Sequence, residues 1–275
     1  MALICCAFAF VNVAAVAPSI FGSHSQADTA GGHFRIAQIN VNYRNENYNE
    51  VLQYIDEINP DFLMLEEYTG AWKRAVSAKL SSRFADKVEI TREDPYGIAV
   101  FCRYPIANHR VFNLGGCPWP SIVSAVPFQQ KTLTIFSTHT KGPIPKDSWL
   151  KQINQIDDLR MNFQGLHSYV LCGDLNMTPW STKFRQLLTD AQLRDSRIGF
   201  GLQGSWPSAR PILLSKLFKG PVRLDLFGVN AFISLPIDHC LVSKELSVVN
   251  RQVGPYVGSD HFPVVTDISA SSVPE

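Results

Sequence analysis

The chain has 275 residues, 45% of them hydrophobic and 18% charged, with a formal net charge of +1. That length fits one large domain or two small ones, and the apolar fraction is enough for a sizeable core, which argues against long disordered stretches. The near-neutral charge leaves no strong electrostatic footprint for long nucleic acid, although local basic patches remain open.

Ala2 to Phe21 carries no charge. Twenty residues at the helical rise span about 30 Å, the thickness of a bilayer core. The run reads as a membrane segment or a signal peptide, but no Lys or Arg precedes it, and a signal peptide ordinarily has them. A buried helix is the plain alternative. The expectation is a protein that associates with a membrane through residues 2–21 or is exported, the periplasmic side included, rather than one of the cytoplasm. Residues 22–33 are small, polar and Gly/Ser-containing, and read as a linker. A folded domain over 34–270 is expected to follow.

Phe34 to Asn40 alternates as a first strand. Asn45 or Asn49 starts a helix with Val51, Leu52, Ile55 and Ile58 on one face, ended by Pro60. Asp61 to Leu65 is a buried strand that hands over to Glu66 and Glu67. A second helix carries Trp72, Val76, Leu80 and Phe84 at i+4 spacing. Short strands then follow at 87–92, 97–101, 109–112, 122–127 and 133–137, a meander that favours antiparallel pairing. The last of these runs into His139. After a loop at 141–145, Asp147 is expected to cap a helix that turns Trp149, Ile153, Ile156, Leu159 and Phe163 inward.

Tyr169 to Cys172 is a short apolar run, the mark of a buried strand, and Gly173 ends it. Asp174 and Asn176 stand two apart beyond it and share one face if the chain stays extended. Thr178 and Pro179 have the chemistry of a helix cap and first helical position, and Phe184, Leu187 and Leu188 continue that helix. Cys172 and Cys240 lie in apolar runs as packed thiols, while Cys102 and Cys117 could pair in an oxidising compartment. Six cysteines are too few for a disulfide scaffold, and the lack of a Cys-x-x-Cys pair argues against a zinc ribbon. Residues 211–235 are unusually apolar. Strands are expected at 236–242, 248–253 and 264–268, with Asp238 near the start of the first and a turn at 258–263 holding Asp260 and His261.

Acidic, amide and imidazole groups thus recur at strand ends: Asn40, Glu67, His139, Asp174, Asn176, Asp238, Asp260 and His261. Each alone has a mundane reading as a turn, a solvated carboxylate or a satisfied core histidine. The ordered set resembles the endonuclease/exonuclease/phosphatase superfamily, the DNase I-like fold, over about residues 34–268. The segments that carry the likeness are 36–41, 60–67, 97–101, 103–106, 137–139, 173–176, 237–239 and 259–261. The apolar N-terminus is similar to that of membrane-tethered or exported bacterial members. The resemblance implies a four-layer α/β sandwich, with two mixed, mostly antiparallel sheets face to face and helices outside. It implies divalent-metal-dependent cleavage of a phosphate ester, and carboxylate and amide oxygens suit Mg²⁺ or Mn²⁺. By motif match Glu67 is the chief metal ligand, with Asn40 and Asp260 contributing. His261 matches the catalytic histidine and Asp238 the carboxylate that orients it. Asp174 positions or deprotonates the attacking water, Asn176 holds a phosphate oxygen, and His139 matches a second histidine that contacts phosphate or serves the leaving group.

For substrate, a nuclease-like phosphodiesterase is the leading expectation. Lys141, Lys146, Trp149, Trp180 and Trp206 are the candidate contacts for nucleic acid. The apolar stretch 211–235, with the N-terminal run, suits instead a membrane-proximal phospholipid or inositol-phosphate phosphoesterase. A non-catalytic binding protein on the same fold is the rival from another class.

Overall fold

The computed structural model describes residues 16–22, 32–208 and 234–270. Most of the apolar run 2–21 and nearly all of the stretch 211–235 lie outside the described residues. Residues 16–21 form a short helix that packs onto the domain: Ser19 is buried, and its hydroxyl accepts a hydrogen bond from Arg197 Nη1 at 3.2 Å. Among the described residues no helix is long and apolar enough to cross a membrane.

Among the described residues twelve strands form two six-stranded sheets. The first contains β1 (Gly32–Asn40), β2 (Phe62–Glu66), β3 (Asp86–Ile90), β4 (Ile98–Cys102), β11 (Leu246–Val253) and β12 (Val264–Ala270), in the order β11-β12-β1-β2-β4-β3. The second contains β5 (Asn108–Asn113), β6 (Pro120–Phe128), β7 (Lys131–Thr138), β8 (Ser168–Asp174), β9 (Leu193–Asp195) and β10 (Asp238–Ser243), in the order β5-β6-β7-β8-β10-β9. Only β1 with β2 and β7 with β8 pair in parallel. Helices α1 (Tyr48–Ile58) and α2 (Gly70–Ser81) cover the outer face of the first sheet, and α3 (Lys146–Leu159) and α4 (Thr182–Asp190) that of the second. This is the expected four-layer α/β sandwich.

Strand parity decides which side chains meet between the sheets, because successive residues point to opposite faces. Phe34 and Ile36 of β1, Phe62 and Met64 of β2, Val170 and Cys172 of β8, and Cys240 and Val242 of β10 share one inter-sheet core. Two residues further along each row the side chains turn polar: Gln38 and Asn40, Glu66, Asp174 and Asp238. Register aligns these changes, since Asn40 lies beside Glu66 in one sheet and Asp238 beside Asp174 in the other. The polar end of the inter-sheet layer is therefore a single buried cluster.

Several local expectations are corrected. β8 continues through Gly173 to Asp174. Asn176 is left-handed (φ 48°), so the chain does not stay extended beyond the strand. Asp174 Oδ1 instead accepts the Asn176 N–H at 2.8 Å, a local turn that re-aims the amide. Helix α4 begins at Thr182 with Ser181 as its N-cap. Thr178 spends its carbonyl on a turn to Ser181 N, so the Thr178-Pro179 signal marks that turn and not the helix start. Pro145, not Asp147, occupies the N-cap of α3. The inward face of α3 is Ser148, Gln152, Gln155, Ile156 and Leu159, which leaves Trp149 half exposed. Phe84 is buried but lies beyond the end of α2. Cys102 and Cys117 are buried and free, so no bond joins them. Cys172 and Cys240 are cross-strand partners within the core.

Candidate active site

The cluster is built from both sheets and from the loops at one end of them. Gln38 Nε2 donates to Glu66 Oε2 and to Asp238 Oδ1, each at 2.8 Å, and so ties one sheet to the other. Asp238 Oδ2 receives His261 Nδ1–H at 2.8 Å. The loop carrying His261 is pinned by Ser259, whose hydroxyl donates to the Asn40 carbonyl at 2.6 Å and accepts His261 N–H at 3.1 Å. Ser205 Oγ accepts the Asp238 N–H at 3.1 Å.

Asp174 is almost fully buried and lies at the meeting point of the cluster. Its Oδ2 is 3.4 Å from His139 Nε2, 3.7 Å from His261 Nε2 and 3.3 Å from Asn40 Nδ2. Asn40 Nδ2 also donates to Glu67 Oε1 at 3.2 Å, while Asn40 Oδ1 accepts the Asn42 N–H at 3.0 Å. The amide therefore presents its nitrogen to two carboxylates. Glu67 follows β2 in a left-handed conformation (φ 60°), which swings it out of the Glu66 row. Its Oε2 is fixed by Tyr43 N–H at 2.9 Å. Asp260 is held by Asn42 Nδ2 at 2.7 Å and by the Trp206 indole N–H at 3.3 Å. Asn176 Nδ2 lies 3.3 Å from His139 Nε2 and donates to the Thr140 carbonyl at 3.0 Å, while His139 Nδ1 donates to the Pro95 carbonyl at 2.9 Å.

Electrostatics follow from this crowding. Burial alone would push His261 down, but Asp238 and Asp174 beside it outweigh burial and raise it to about 10. Burial also opposes charge on His139, and Asp174, with Glu67 and Glu66 behind it, raises it to about 9. In the converse sense, burial disfavours the Asp238 carboxylate, yet the His261 imidazolium holds it below the usual range. Burial drives Glu66 up to about 8, with Asp238 adding to the rise and the Gln38 amide opposing it. The surrounding carboxylates thus favour the charged form of both imidazoles.

All eight site residues expected from the sequence meet in this region. Asp260 reaches it through Asn42 and Trp206. Gln38, Glu66, Asn42, Ser205 and Ser259 were not anticipated. Parity would have found the first two, since Gln38 continues the Phe34–Ile36 row and Glu66 the Phe62–Met64 row. Of the candidate contacts, Lys141 places its ammonium 5.5 Å from the Tyr96 ring centre and 5.6 Å from that of Trp119, and Trp206 touches Asp260. Lys146 is exposed, and Trp180 lines a separate pocket beside Arg197.

The donor set fits a hard divalent cation. Asp174, Asp238 and His261 bring potential ligand atoms within 4.8 Å of one another. Asp238 is already committed to His261 and Gln38, however, so that trio is better read as a carboxylate beside an oriented histidine. The less buried carboxylates are those of Glu67 and Asp260, and the buried Asn40 amide lies beside Glu67.

A two-sheet α/β sandwich whose inter-sheet layer ends in buried carboxylates, amides and charged imidazoles defines a phosphoester hydrolase of the metal-dependent kind. The sequence model of the Endonuclease/Exonuclease/phosphatase family matches residues 37–261, and the chain belongs to that family. It is an enzyme of that family's metal-dependent, phosphoester-cleaving kind. No curated protein matches the chain significantly. Solved structures share its fold at low identity. An endonuclease/exonuclease/phosphatase from Beutenbergia cavernae DSM 12333 is 17% identical, with a TM-score of 0.64 over 87% of this chain and 72% of that one. TDP2 from D. rerio, complexed with a single-strand DNA product, is 14% identical, with a TM-score of 0.67 over 88% and 100%. The human Nocturnin catalytic domain with a bound sulfate anion is 18% identical, with a TM-score of 0.62 over 90% and 98%.

Proposed function

We propose that the protein hydrolyses a phosphodiester by in-line attack of water on phosphorus, without a covalent enzyme intermediate. Glu67, Asn40 and Asp260 would hold Mg²⁺ or Mn²⁺, which when bound supplies charge stabilisation on the phosphate oxygens. Asp174 is the group that takes the proton from water, because it is the one carboxylate within reach of both histidines. His261, oriented by Asp238, stays charged and donates from Nε2 to a phosphate oxygen. His139 donates from Nε2 towards the phosphate or the leaving oxygen, and Asn176 holds a further oxygen. The observation that carries this reading is Asp174 Oδ2 lying 3.4 Å from His139 Nε2 and 3.7 Å from His261 Nε2. Proteins of this fold that hold a single-strand DNA product or a sulfate carry anions of the class proposed here.

The test is turnover of bis-p-nitrophenyl phosphate by the full chain with Mg²⁺ or Mn²⁺, with and without chelator. Hydrolysis should require the ion, and Asp174→Asn should lower kcat by about 10²–10⁴-fold, the span of a lost general base. Absence of ion-dependent hydrolysis, or an unchanged rate in Asp174→Asn, overturns the reading.

A further inference from the structure

Next to the cleft lies a groove of about 590 Å³, within the usual range of small-molecule sites. Ile144, Trp149, Ile153, Met177, Trp206 and Leu235 form its apolar lining. Asn176 and Trp206, which also line it, are the residues that touch His139 and Asp260, so the groove opens directly onto the site. Its walls are tied down. Trp206 and Leu235 form a β-bridge, and Gln152 Nε2 donates to the carbonyls of Leu175 and Asn176 at 3.0 and 2.8 Å. Ile144 is 87% exposed and Trp149 48% exposed, beside the catalytic rim, where solvent exposure of large apolar side chains needs a reason.

The groove is poorly suited to a nucleotide. A single strand needs free cations along its backbone. Among the described residues Lys183 is the one charged side chain in the lining, and its ammonium is bonded to both oxygens of Asp157 at 2.8 and 2.9 Å. The donor N–H groups of Gln152 are likewise spent on the loop. What remains on offer is mainly apolar surface, with the hydroxyls of Thr178, Ser181 and Thr182 along one side, and it ends at the phosphate-binding groups. We infer that the groove takes an alkyl chain carried by the substrate, so that the enzyme's preferred diester is amphiphilic, with its phosphate at Asp174 and its chain along Trp149 and Ile144. This rests on the phosphodiesterase reading above.

The test uses the full chain with Mn²⁺ and the methyl, hexyl and dodecyl esters of p-nitrophenyl phosphate, kept below micelle-forming concentrations. In parallel, methyl, hexyl and dodecyl phosphonates are titrated by calorimetry, which needs no turnover. From methyl to hexyl, kcat/KM should rise and phosphonate Kd should fall by about 10- to 100-fold, a fraction of the full transfer energy of the added methylenes. Ile144→Asp and Trp149→Ala should flatten both series while leaving the methyl ester rate unchanged. A phosphonate series that varies by less than about 3-fold overturns the groove assignment. So does a clear preference for the thymidine 5′-p-nitrophenyl diester over the hexyl ester, lost in Trp149→Ala, which would mean that a base stacks there. If the methyl ester is not hydrolysed but the phosphonates bind with the expected chain dependence, the groove stands and the catalytic reading fails.

Discussion

Gln38 serves two carboxylates with one amide nitrogen, and that sharing sets how the dyad beyond it behaves. Asp238 cannot rotate away from His261 without giving up its bond to Gln38. A carboxylate so held fixes the imidazole with Nδ1 protonated and Nε2 directed at the cleft. Replacing Asp238 by Asn keeps the shape and removes the charge. Burial, which opposes an imidazolium, then acts with less to counter it, so the His261 pKa should drop from about 10 towards the ordinary 6.5. An NMR titration of the ring in metal-free protein reads this directly, and an unmoved titration would show that Asp174 alone holds the charge. The same substitution should lower kcat by about 10²–10³-fold, since a neutral and less firmly oriented imidazole stabilises the charge developing on the phosphate less well. His261→Ala should lose at least as much while the far-ultraviolet circular dichroism stays as in the wild type.

At the scale of elements, the site depends on a place where the second sheet allows its strands to approach closely. Gly173, one residue before Asp174, has φ 149°, and a Cβ there would come within 1.8 Å of the Thr138 carbonyl oxygen on β7. Backbone cannot yield as a flexible side chain would. Gly173→Ala should therefore force β7 and β8 apart and cost about 2–4 kcal/mol, the range of mutations that strain a buried backbone. Urea denaturation measures the cost, and a loss under about 0.5 kcal/mol would show that the strands can part cheaply. Most strands were legible because they alternate or run apolar between turn residues, whereas the three-residue β9 is too short to carry a pattern; the rim residues were legible because they sit where those runs stop. Helix starts were harder to read. Thr178-Pro179 has the local chemistry of a helix entry, but tertiary demands use it as a turn and defer α4 to Thr182. The inward face of α3 misled for a related reason. Its polar Gln152 and Gln155 face inward to brace the loops at Leu175, Asn176 and Lys141, while its tryptophan faces the groove. A periodicity rule assigns apolar residues to the interior and does not detect buried amides that serve backbone carbonyls. Of the two adjacent glutamates the sequence singled out only Glu67, whereas Glu66 continues the buried row and the left-handed turn at Glu67 separates their directions.

For the molecule as a whole, two stacked sheets place titratable groups in surroundings that water cannot relax, and folding stability becomes a function of pH. His239 shows this away from the cleft. It lies on the outer face of β10, with its ring centre 4.5 Å from that of Phe184 of α4, and Nε2–H donates to the Met177 carbonyl at 2.8 Å. Burial drives its pKa from 6.5 down to about 4. Between those values the unfolded chain binds a proton that the folded protein refuses, so this residue withdraws stability as pH falls. The slope is about 1.4 kcal/mol per pH unit, on the order of 3 kcal/mol across the window. Glu66 works in the opposite direction, because burial raises it to about 8 and its contribution is lost as pH rises above the unfolded value of 4.5. In the wild type the two therefore oppose each other between about pH 4.5 and 6.5. A comparison with His239→Gln separates them, because Gln keeps a donor for the Met177 carbonyl but does not titrate, and Glu66 is common to both proteins. Whatever the variant costs at pH 7.5, that cost should shrink by on the order of 3 kcal/mol by pH 4, as the wild type loses what the variant never had. Urea denaturation of both proteins at half-unit pH intervals measures the difference. A constant gap would mean that His239 takes up its proton in the folded state, and that the layer between β10 and α4 admits water.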